Sequence, residues 1–261
     1  AHSFLLATPT YLLRQLEVAK EIGLDPHKLK IDRLLMSGEP GYSVPATHKL
    51  LQDGWNAQPH EHMGTTEVGG PVLFSCEYLA DEEEPSDHIN ADYWLVEVLD
   101  KETLQPVEKD KNGEKTGISC ITSLTQFGMP AVRLLIGDYL TVVEGEKCGC
   151  GRTLPIVKGG LKTRPEDVII IKGVNIYPAL IENSVRSMEG LSPEYRIKKT
   201  SLGATVLIEA GEDAPEELYE KLAKNLQEDI KIKTSVTLDV EIKSPGSIPK
   251  EETKTKRIIK E

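Results

Sequence analysis

Residues 61–71 join glycines to hydroxyl and carboxylate side chains, a combination that suits a phosphate ligand. In order they are Glu61, His62, Met63, Gly64, Thr65, Thr66, Glu67, Val68, Gly69, Gly70 and Pro71. Glycine lets the backbone approach a ligand closely because it has no Cβ. The stretch therefore predicts a loop that holds a nucleotide phosphate together with its magnesium ion.

Three cysteines and one histidine form a second set that could do chemistry. Cys148 and Cys150 have the short spacing at which two thiolates can bind one zinc ion, and Cys76 and His88 could complete a tetrahedron. Four protein ligands would leave no open position, so such a zinc would be structural. The alternative is two reduced cysteines in a tight turn, unrelated to Cys76 and His88. Cys120 lies in an apolar run and is predicted to be a core residue.

Composition excludes several classes of function. The 261 residues carry a formal net charge of −11, which argues against nucleic acid or an anionic membrane surface as a general partner. No apolar run reaches the roughly 20 residues of a membrane-spanning helix, and no signal-peptide pattern is seen. Four cysteines are too few for the disulfide framework of a small secreted domain. The sequence predicts a cytoplasmic protein with reduced or metal-bound thiols.

The patterns along the chain predict an α/β region that passes into a β-rich region. Thr8 and Pro9 precede a helical pattern, residues 33–36 form an apolar run, and strand patterns follow at 93–99, 118–122 and 139–143. The acidic run at 81–87 is predicted to be a solvated loop, and residues 110–115 a turn. Because a helical pattern begins so close to Ala1, we expect the chain to be a fragment or a truncated product; the alternative is that an initiator methionine was trimmed.

A second, smaller α+β domain is predicted after a polar linker. Its patterns are a strand at 168–171, a helix at 178–188, a strand at 204–209, a helix at 215–232 and a strand at 236–242. We therefore divide the chain into residues 1–162, a linker at 163–167, and residues 168–261.

Five motifs in a fixed order resemble those of the adenylate-forming, AMP-binding superfamily. Besides 61–71 they lie at residues 37–41, 133–138, 163–178 and 248–257. The closest resemblance is to the phenylacetate-coenzyme A ligases, and it runs from about Thr8 to the last residues. It implies the C-terminal part of an adenylate-forming core, with an α/β region and a β-rich subdomain, followed by a small α+β lid domain.

The resemblance implies a nucleotide site. Its positions in this sequence are Gly38, Glu39, Pro40, Met63, Gly64, Thr65, Thr66, Asp138 and Arg164. Within it, Thr66 would contact phosphate, Asp138 would accept the ribose hydroxyls, and Glu67 would hold magnesium. Related ligases also have a cysteine, a histidine and a Cys-x-Cys-Gly-Arg-Thr pattern like those described above, which favours structural zinc.

The resemblance also implies catalytic and coenzyme-binding residues. Lys254 would bridge the carboxylate substrate and the α-phosphate, and Glu166 would occupy the hinge about which the small domain turns. Lys172, Gly173 and Val174 would line the channel for the pantetheine arm of coenzyme A.

The chain departs from the family patterns in identifiable places. Residues 134–136 are Leu-Leu-Ile where the family has Tyr-Arg-Thr, and Thr253 stands where a glycine precedes the lysine. Pro165 lies within the linker, so we expect a stiffer hinge. The Ser/Thr/Gly-rich loop that holds the β- and γ-phosphates in the superfamily is absent from this sequence.

The function implied is that of an aryl- or acyl-acid coenzyme A ligase. It would use ATP, magnesium and coenzyme A on a small carboxylic acid, and form an acyl-adenylate before the thioester. One alternative is a synthetase that adenylates a deazaflavin coenzyme, which shares the Gly-Glu-Pro-Gly and Cys-x-Cys-Gly-Arg patterns. Another is a non-catalytic, zinc-stabilised binding subunit. A homodimer, or a separate N-terminal half acting in trans, is a further expectation.

Overall fold

The computed structural model describes residues 3–161, 167–171, 174–200, 203–249 and 257–260. The chain forms two compact units, residues 1–165 and 166–261. The division falls within the predicted linker. The role of that linker as a hinge stays a prediction, because residues 163–166 lie outside the described part of the chain.

The first unit is built on one sheet, which has nine strands in the described residues, in the order β1-β2-β3-β4-β5-β9-β8-β7-β6. The strands are β1 (Phe4–Ala7), β2 (Arg33–Met36), β3 (Gln58–Met63), β4 (Leu73–Phe74), β5 (Asp87–Ile89), β6 (Trp94–Leu99), β7 (Glu114–Ser123), β8 (Leu134–Val143) and β9 (Ile156–Val157). The first three are parallel to one another, and the other neighbours are antiparallel. The predicted change from α/β to β-rich structure is thus confirmed.

Two helices connect the parallel strands. They are α1 (Pro9–Glu21) and α2 (Pro45–Trp55). Each begins with a proline, whose missing N–H would have no helical partner at that position. Thr8 caps α1 by accepting a hydrogen bond from the Tyr11 N–H at 3.3 Å. Leu12, Leu51 and Met36 are fully buried in one cluster that joins the helices to β2, and each such side chain contributes about 1.5–3 kcal/mol.

The antiparallel strands have their own core. Trp94, Ile121, Leu140 and Val157 are buried within it, and they come from β6, β7, β8 and β9. Cys120 is buried in a separate small cluster with Leu99 and Ile118, as predicted for a core residue. The predicted turn is also confirmed, because Gly113 has φ +81° and the Asp110 carboxylate accepts the Asn112 N–H.

The acidic run at 81–87 is only partly the solvated loop that the sequence predicts. Residues 81–84, which follow the short helix α3 (Glu77–Ala80), are exposed, but Pro85, Ser86 and Asp87 are buried. The prediction is wrong for these three because the chain enters the sheet at this point, where β5 pairs with β4 and β9. Burial of Asp87 is a tertiary effect that a local charge pattern does not reveal.

The second unit is an α+β domain. Its elements are β10 (Ile169–Ile171), β11 (Val174–Ile176), α4 (Pro178–Arg186), β12 (Leu191–Lys199), β13 (Ala204–Ala210), α5 (Tyr219–Thr234), β14 (Asp239–Lys243) and β15 (Ile258–Lys260). Four strands form a sheet in the order β14-β13-β12-β15. The sequence patterns missed β12, because Pro193 and several charged residues interrupt its apolar positions. In the described part of the chain, no helix has both the length and the apolar character needed to cross a membrane.

Candidate functional site

Cys76, His88, Cys148 and Cys150 come together in one cluster, although they are far apart in sequence. Their ligand atoms all lie within 4.8 Å of one another. Cys76 precedes the short helix α3, His88 lies in β5, and the other two cysteines lie in the turn between β8 and β9. Because β5 pairs with β9, this turn is held beside His88.

The distances in the cluster fit metal coordination better than a disulfide. Cys76 Sγ lies 3.6 Å from Cys148 Sγ, and Cys150 Sγ lies 3.4 Å from His88 Nε2. A disulfide requires about 2.05 Å. Ligands at about 2.3 Å (sulfur) and about 2.0 Å (nitrogen) from a tetrahedral zinc ion are ~3.5 to 3.8 Å apart. Three sulfurs and one imidazole nitrogen form a donor set that suits zinc, and the two shortest of these distances are close to those of a tetrahedral zinc site.

The thiols of the cluster differ in acidity. Burial by itself raises the pKa of the Cys150 thiol, but hydrogen bonds from the Arg152 backbone and side chain and from His88 bring that pKa down to about 6. Burial raises the pKa of Cys76 to about 12. The thiolate of Cys150 is thus stabilised by hydrogen-bond donors of the protein. A bound metal ion would supply the positive charge that deprotonates the others.

The glycine loop after β3 is a tight turn. The Val68 N–H and the Gly69 N–H both donate hydrogen bonds to the Thr65 carbonyl, at 3.2 and 2.9 Å. At Gly64 a Cβ would lie 2.6 Å from the Gly70 carbonyl oxygen, so only glycine fits. The Thr65 hydroxyl is buried and has no hydrogen-bond partner among the described residues. A buried hydroxyl without a partner, in a loop tightened by glycine, is suited to a polar ligand.

Gln126 contacts this loop from another part of the chain, and the sequence patterns did not predict it. It lies in the connection between β7 and β8, and its amide nitrogen donates to the Val68 carbonyl. Its other amide atom, Oε1, is buried without a partner in the described part of the chain. Trp94 makes a second hydrogen bond to the loop, because its indole N–H donates to the Pro71 carbonyl at 3.0 Å. No motif signals either contact, since both depend on the pairing of distant strands.

Asp138 lies at an irregularity of the sheet. Between the pairs Ile118 with Tyr139 and Cys120 with Leu135, the register of β7 against β8 shifts. Gly137 has φ +85°, which glycine adopts readily. Bulges of this kind redirect side chains at binding sites. The sequence placed a carboxylate here, but only strand pairing shows that its backbone is irregular.

The Gly38–Pro40 positions follow β2. Gly38 has φ +91°, and the Glu39 carboxylate accepts the Thr10 N–H at 2.6 Å. Glu39 therefore helps to cap α1, a structural contact that the motif did not suggest.

Several predicted residues lie outside the described part of the chain. They are Arg164, Glu166, Lys172, Gly173 and Lys254. Val174 is described and begins β11, which pairs antiparallel with β10.

The chain is similar to known proteins in sequence and in fold. The family model for the "AMP-binding enzyme C-terminal domain" matches residues 173–261. Phenylacetate-coenzyme A ligase of Thermus thermophilus is 28% identical over 97% of the chain, and that of Escherichia coli is 25% identical over 98%. The chain is a relative of the phenylacetate-coenzyme A ligases. It spans 59% and 57% of the lengths of these two ligases.

Solved structures of CoA ligases share the fold of the chain. One of them is a 2-hydroxyisobutyryl-CoA ligase in complex with R3-HIB-AMP, with TM-score 0.89 and 26% identity. The match covers 99% of this chain and 54% of the ligase chain. Anthranilate CoA ligase AuaEII, with TM-score 0.64 and 14% identity, shares the fold. The glycine loop and Asp138 are thus arranged on a fold that the chain shares with this 2-hydroxyisobutyryl-CoA ligase.

Proposed function

We propose that this chain is part of an acid-coenzyme A ligase that forms AMP. The observation that carries the proposal is the structural match to a CoA ligase over 99% of the chain, with TM-score 0.89. Support comes from the identity to phenylacetate-coenzyme A ligases along nearly the whole sequence. We include a small carboxylic acid, ATP and coenzyme A among the substrates. The free thiols accord with a cytoplasmic protein.

The reaction has two steps. In the first, a carboxylate oxygen of the acid attacks the α-phosphorus of ATP, and pyrophosphate leaves. In the second, the sulfur of coenzyme A attacks the acyl carbon, and AMP leaves with the electrons of the broken C–O bond. Magnesium, when bound, would neutralise charge on the phosphates.

We assign the first step to residues of both units. Thr65 and Thr66 would bind phosphate, Glu67 would hold magnesium, and Asp138 would accept the ribose hydroxyls. The tight turn at Gly64 and the buried Thr65 hydroxyl support the phosphate assignment. Lys254 would bridge the acid and the α-phosphate, as a fixed positive charge where negative charge develops.

We assign supporting roles to the remaining predicted residues. The loop at Gly38, Glu39 and Pro40 and the Arg164 side chain would complete the nucleotide site. Glu166 would serve the hinge, and Lys172, Gly173 and Val174 the pantetheine channel. Zinc bound by the Cys/His cluster would be structural, because four protein ligands close its coordination shell.

The test uses the complete gene product and a panel of small carboxylic acids. ATP–pyrophosphate exchange reports the first step, and thioester formation after addition of coenzyme A reports the second. We expect both with at least one acid. Exchange without any thioester would favour an adenylating synthetase, and no nucleotide binding at all would favour a binding subunit.

A further inference from the structure

Arg133 has a backbone conformation that glycine usually adopts. It immediately precedes β8, and its φ is +47°. A positive φ strains every residue except glycine, because the Cβ then comes too close to a backbone carbonyl oxygen. Such strain persists only where the surrounding structure holds it, and it is common at functional sites. The contacts that hold Arg133 therefore indicate what the strained position serves.

The strained residue lies at a bulge between β7 and β8. The Ser123 N–H donates to the Ala131 carbonyl at 2.8 Å. Nearer the middle of the sheet, Ile121 pairs with Leu134. Between these two contacts β7 has one residue, whereas the returning chain has two, of which one is Arg133. An extra residue of this kind bends the strand. The bulge therefore sets the direction of the hairpin tip, which we define as residues 124–130.

Two neighbouring strands hold Arg133 in this conformation. Its N–H donates to Thr122 Oγ1 of β7 at 2.9 Å. Its guanidinium Nε donates to the Glu97 carboxylate at 3.1 Å, and Glu97 belongs to β6. Because β7 lies between β6 and β8, the Arg133 side chain crosses one strand to reach the next. Glycine would adopt the same φ without strain, but it could not make this contact.

Packing contributes little to the position of the hairpin tip. Leu124, Phe127 and Met129 are 51%, 91% and 68% exposed. Gln126 joins the tip to the glycine loop, because its amide nitrogen donates to the Val68 carbonyl. The position of Gln126 therefore depends on the base of the hairpin, where the bulge lies.

The base of the hairpin also lies beside the second contact to the glycine loop. Trp94 of β6 pairs with Ser123, and its indole N–H donates to the Pro71 carbonyl at 3.0 Å. The loop is thus held at two carbonyls, by one donor from β6 and one from the hairpin tip. The contact of Arg133 with Glu97 joins the start of β8 to β6, so it fixes these two donors relative to each other.

We propose that Arg133 is a positioning residue for the glycine loop. It holds the bulge through Thr122 and Glu97, and the bulge holds Gln126 against Val68. The proposal rests on the function proposed above, in which this loop binds phosphate. Arg133 acts on the nucleotide through Gln126 and not by direct contact.

The structural test measures amide hydrogen exchange in the complete gene product. Arg133→Gly permits the positive φ but removes the side chain, and Thr122→Val removes the hydroxyl acceptor with little change of shape. The reporter is the Gly69 N–H, which donates to the Thr65 carbonyl at 2.9 Å. We expect its exchange to accelerate about three- to tenfold in both variants, since each loses a hydrogen bond of modest strength.

Lys115→Ala is the matched control. It removes an ion pair with Glu144, at 3.1 Å, that joins β7 to the end of β8. This pair lies at the opposite end of the same two strands. Exchange of the Gly69 N–H should keep the wild-type rate in the control. A wild-type rate in Arg133→Gly, or equal acceleration in the control, would overturn the proposal.

A double variant tests whether Arg133 acts through Gln126. Gln126→Ala should accelerate exchange of the Gly69 N–H by itself. Adding Arg133→Gly should then bring no further acceleration, because the two residues act in series and their effects are not additive. Additive effects would overturn the proposal, since Arg133 would then influence the loop by another route.

The functional test compares ATP with coenzyme A in the complete gene product. We expect Arg133→Gly to raise KM for ATP about three- to tenfold and to leave KM for coenzyme A unchanged. A purely structural role would lower the melting temperature without this selectivity. Faster exchange in Arg133→Gly, with no ATP binding by the wild type, would refute the proposed function while the effect of Arg133 on the loop stands. Faster exchange with an unchanged KM for ATP in an active enzyme would refute positioning.

Discussion

The carboxyl groups of Glu61 and Asp87 lie within hydrogen-bonding reach of each other in the interior of the first unit. Glu61 is 5% exposed and Asp87 is fully buried. Glu61 Oε2 and both oxygens of Asp87 have no donor among the described residues. Two ionised carboxylates so close together would repel each other, so we expect one of the pair to hold a proton. Burial raises the pKa of Glu61 to about 7 and that of Asp87 well above its usual range.

This pair predicts that stability falls as pH rises from about 4.5 to about 7. The folded state holds the Glu61 proton more tightly than the unfolded state does, so raising the pH across this window favours unfolding. The substitution Glu61→Gln keeps a hydrogen-bond donor at this position, but the amide cannot ionise. The free energy of unfolding of this variant should equal that of the wild type near pH 4.5 and exceed it by about 1–3 kcal/mol at pH 7.5.

Urea unfolding of both proteins across this pH range measures the difference. Asp87→Asn is the matched variant and should behave in the same way. A variant that loses stability relative to the wild type as pH rises would contradict the shared proton.

The metal cluster predicts one zinc ion per chain. Cys148→Ser should abolish zinc content and lower the free energy of unfolding by at least about 2 kcal/mol, because bound metal stabilises only the folded state. Cys120→Ser is the control, since Cys120 is buried in a different cluster. Elemental analysis and thermal unfolding check both variants.

Accessibility of the metal site can be tested separately. Cys76 and Cys150 line an open concavity of about 490 Å³ together with Arg152. A chelator should therefore remove the metal from the folded protein. If protein purified without a chelator contains no zinc, the proposal that the Cys/His cluster binds zinc is refuted.

Gly64→Ala should distort the glycine loop. The new Cβ would lie 2.6 Å from the Gly70 carbonyl oxygen, so the backbone must shift. We expect a loss of about 1–3 kcal/mol in stability and weaker ATP binding in the complete gene product. Gly128→Ala is the control, because no atom lies within 4 Å of its Cβ position. Calorimetry gives both quantities, and equal behaviour of the two variants would show that the loop tolerates a side chain.

Gln126→Ala should loosen the same loop without a large effect on folding. It removes the donor to the Val68 carbonyl, a contact of about 1 kcal/mol. ATP affinity should fall several-fold, whereas Gln105→Ala, at an exposed position, should leave it unchanged. Unaltered affinity in the Gln126 variant would restrict this residue to a structural role.

Lys254→Ala should separate the two half-reactions of the complete gene product. Adenylation needs a positive charge at the α-phosphate, so we expect it to fall at least 100-fold, as for loss of one electrostatic stabiliser. Thioester formation from a supplied acyl-adenylate should persist. Pyrophosphate exchange and thioester assays check the two steps, and parallel loss of both would exclude the bridging role.

Local patterns in the sequence predicted much of the fold. The Thr8 cap and Pro9 predicted α1, and the apolar run at 33–36 predicted β2, because capping and burial leave local signatures. The Asn112–Gly113 turn was equally visible, since a positive φ favours glycine. The strand β12 was not predicted from the sequence, because its burial depends on the two strands beside it.

The sequence by itself determined the residue types of the candidate site and the family that they resemble. The hydroxyls and carboxylate of the glycine loop, and the spacing of Cys148 and Cys150, are local facts. Only the tertiary structure decided that Cys76 and His88 join those cysteines, that Asp87 is buried against Glu61, and that Gln126 holds the loop. These contacts join residues on different strands, and burial and distance across a sheet are fixed by strand pairing rather than by neighbours in sequence.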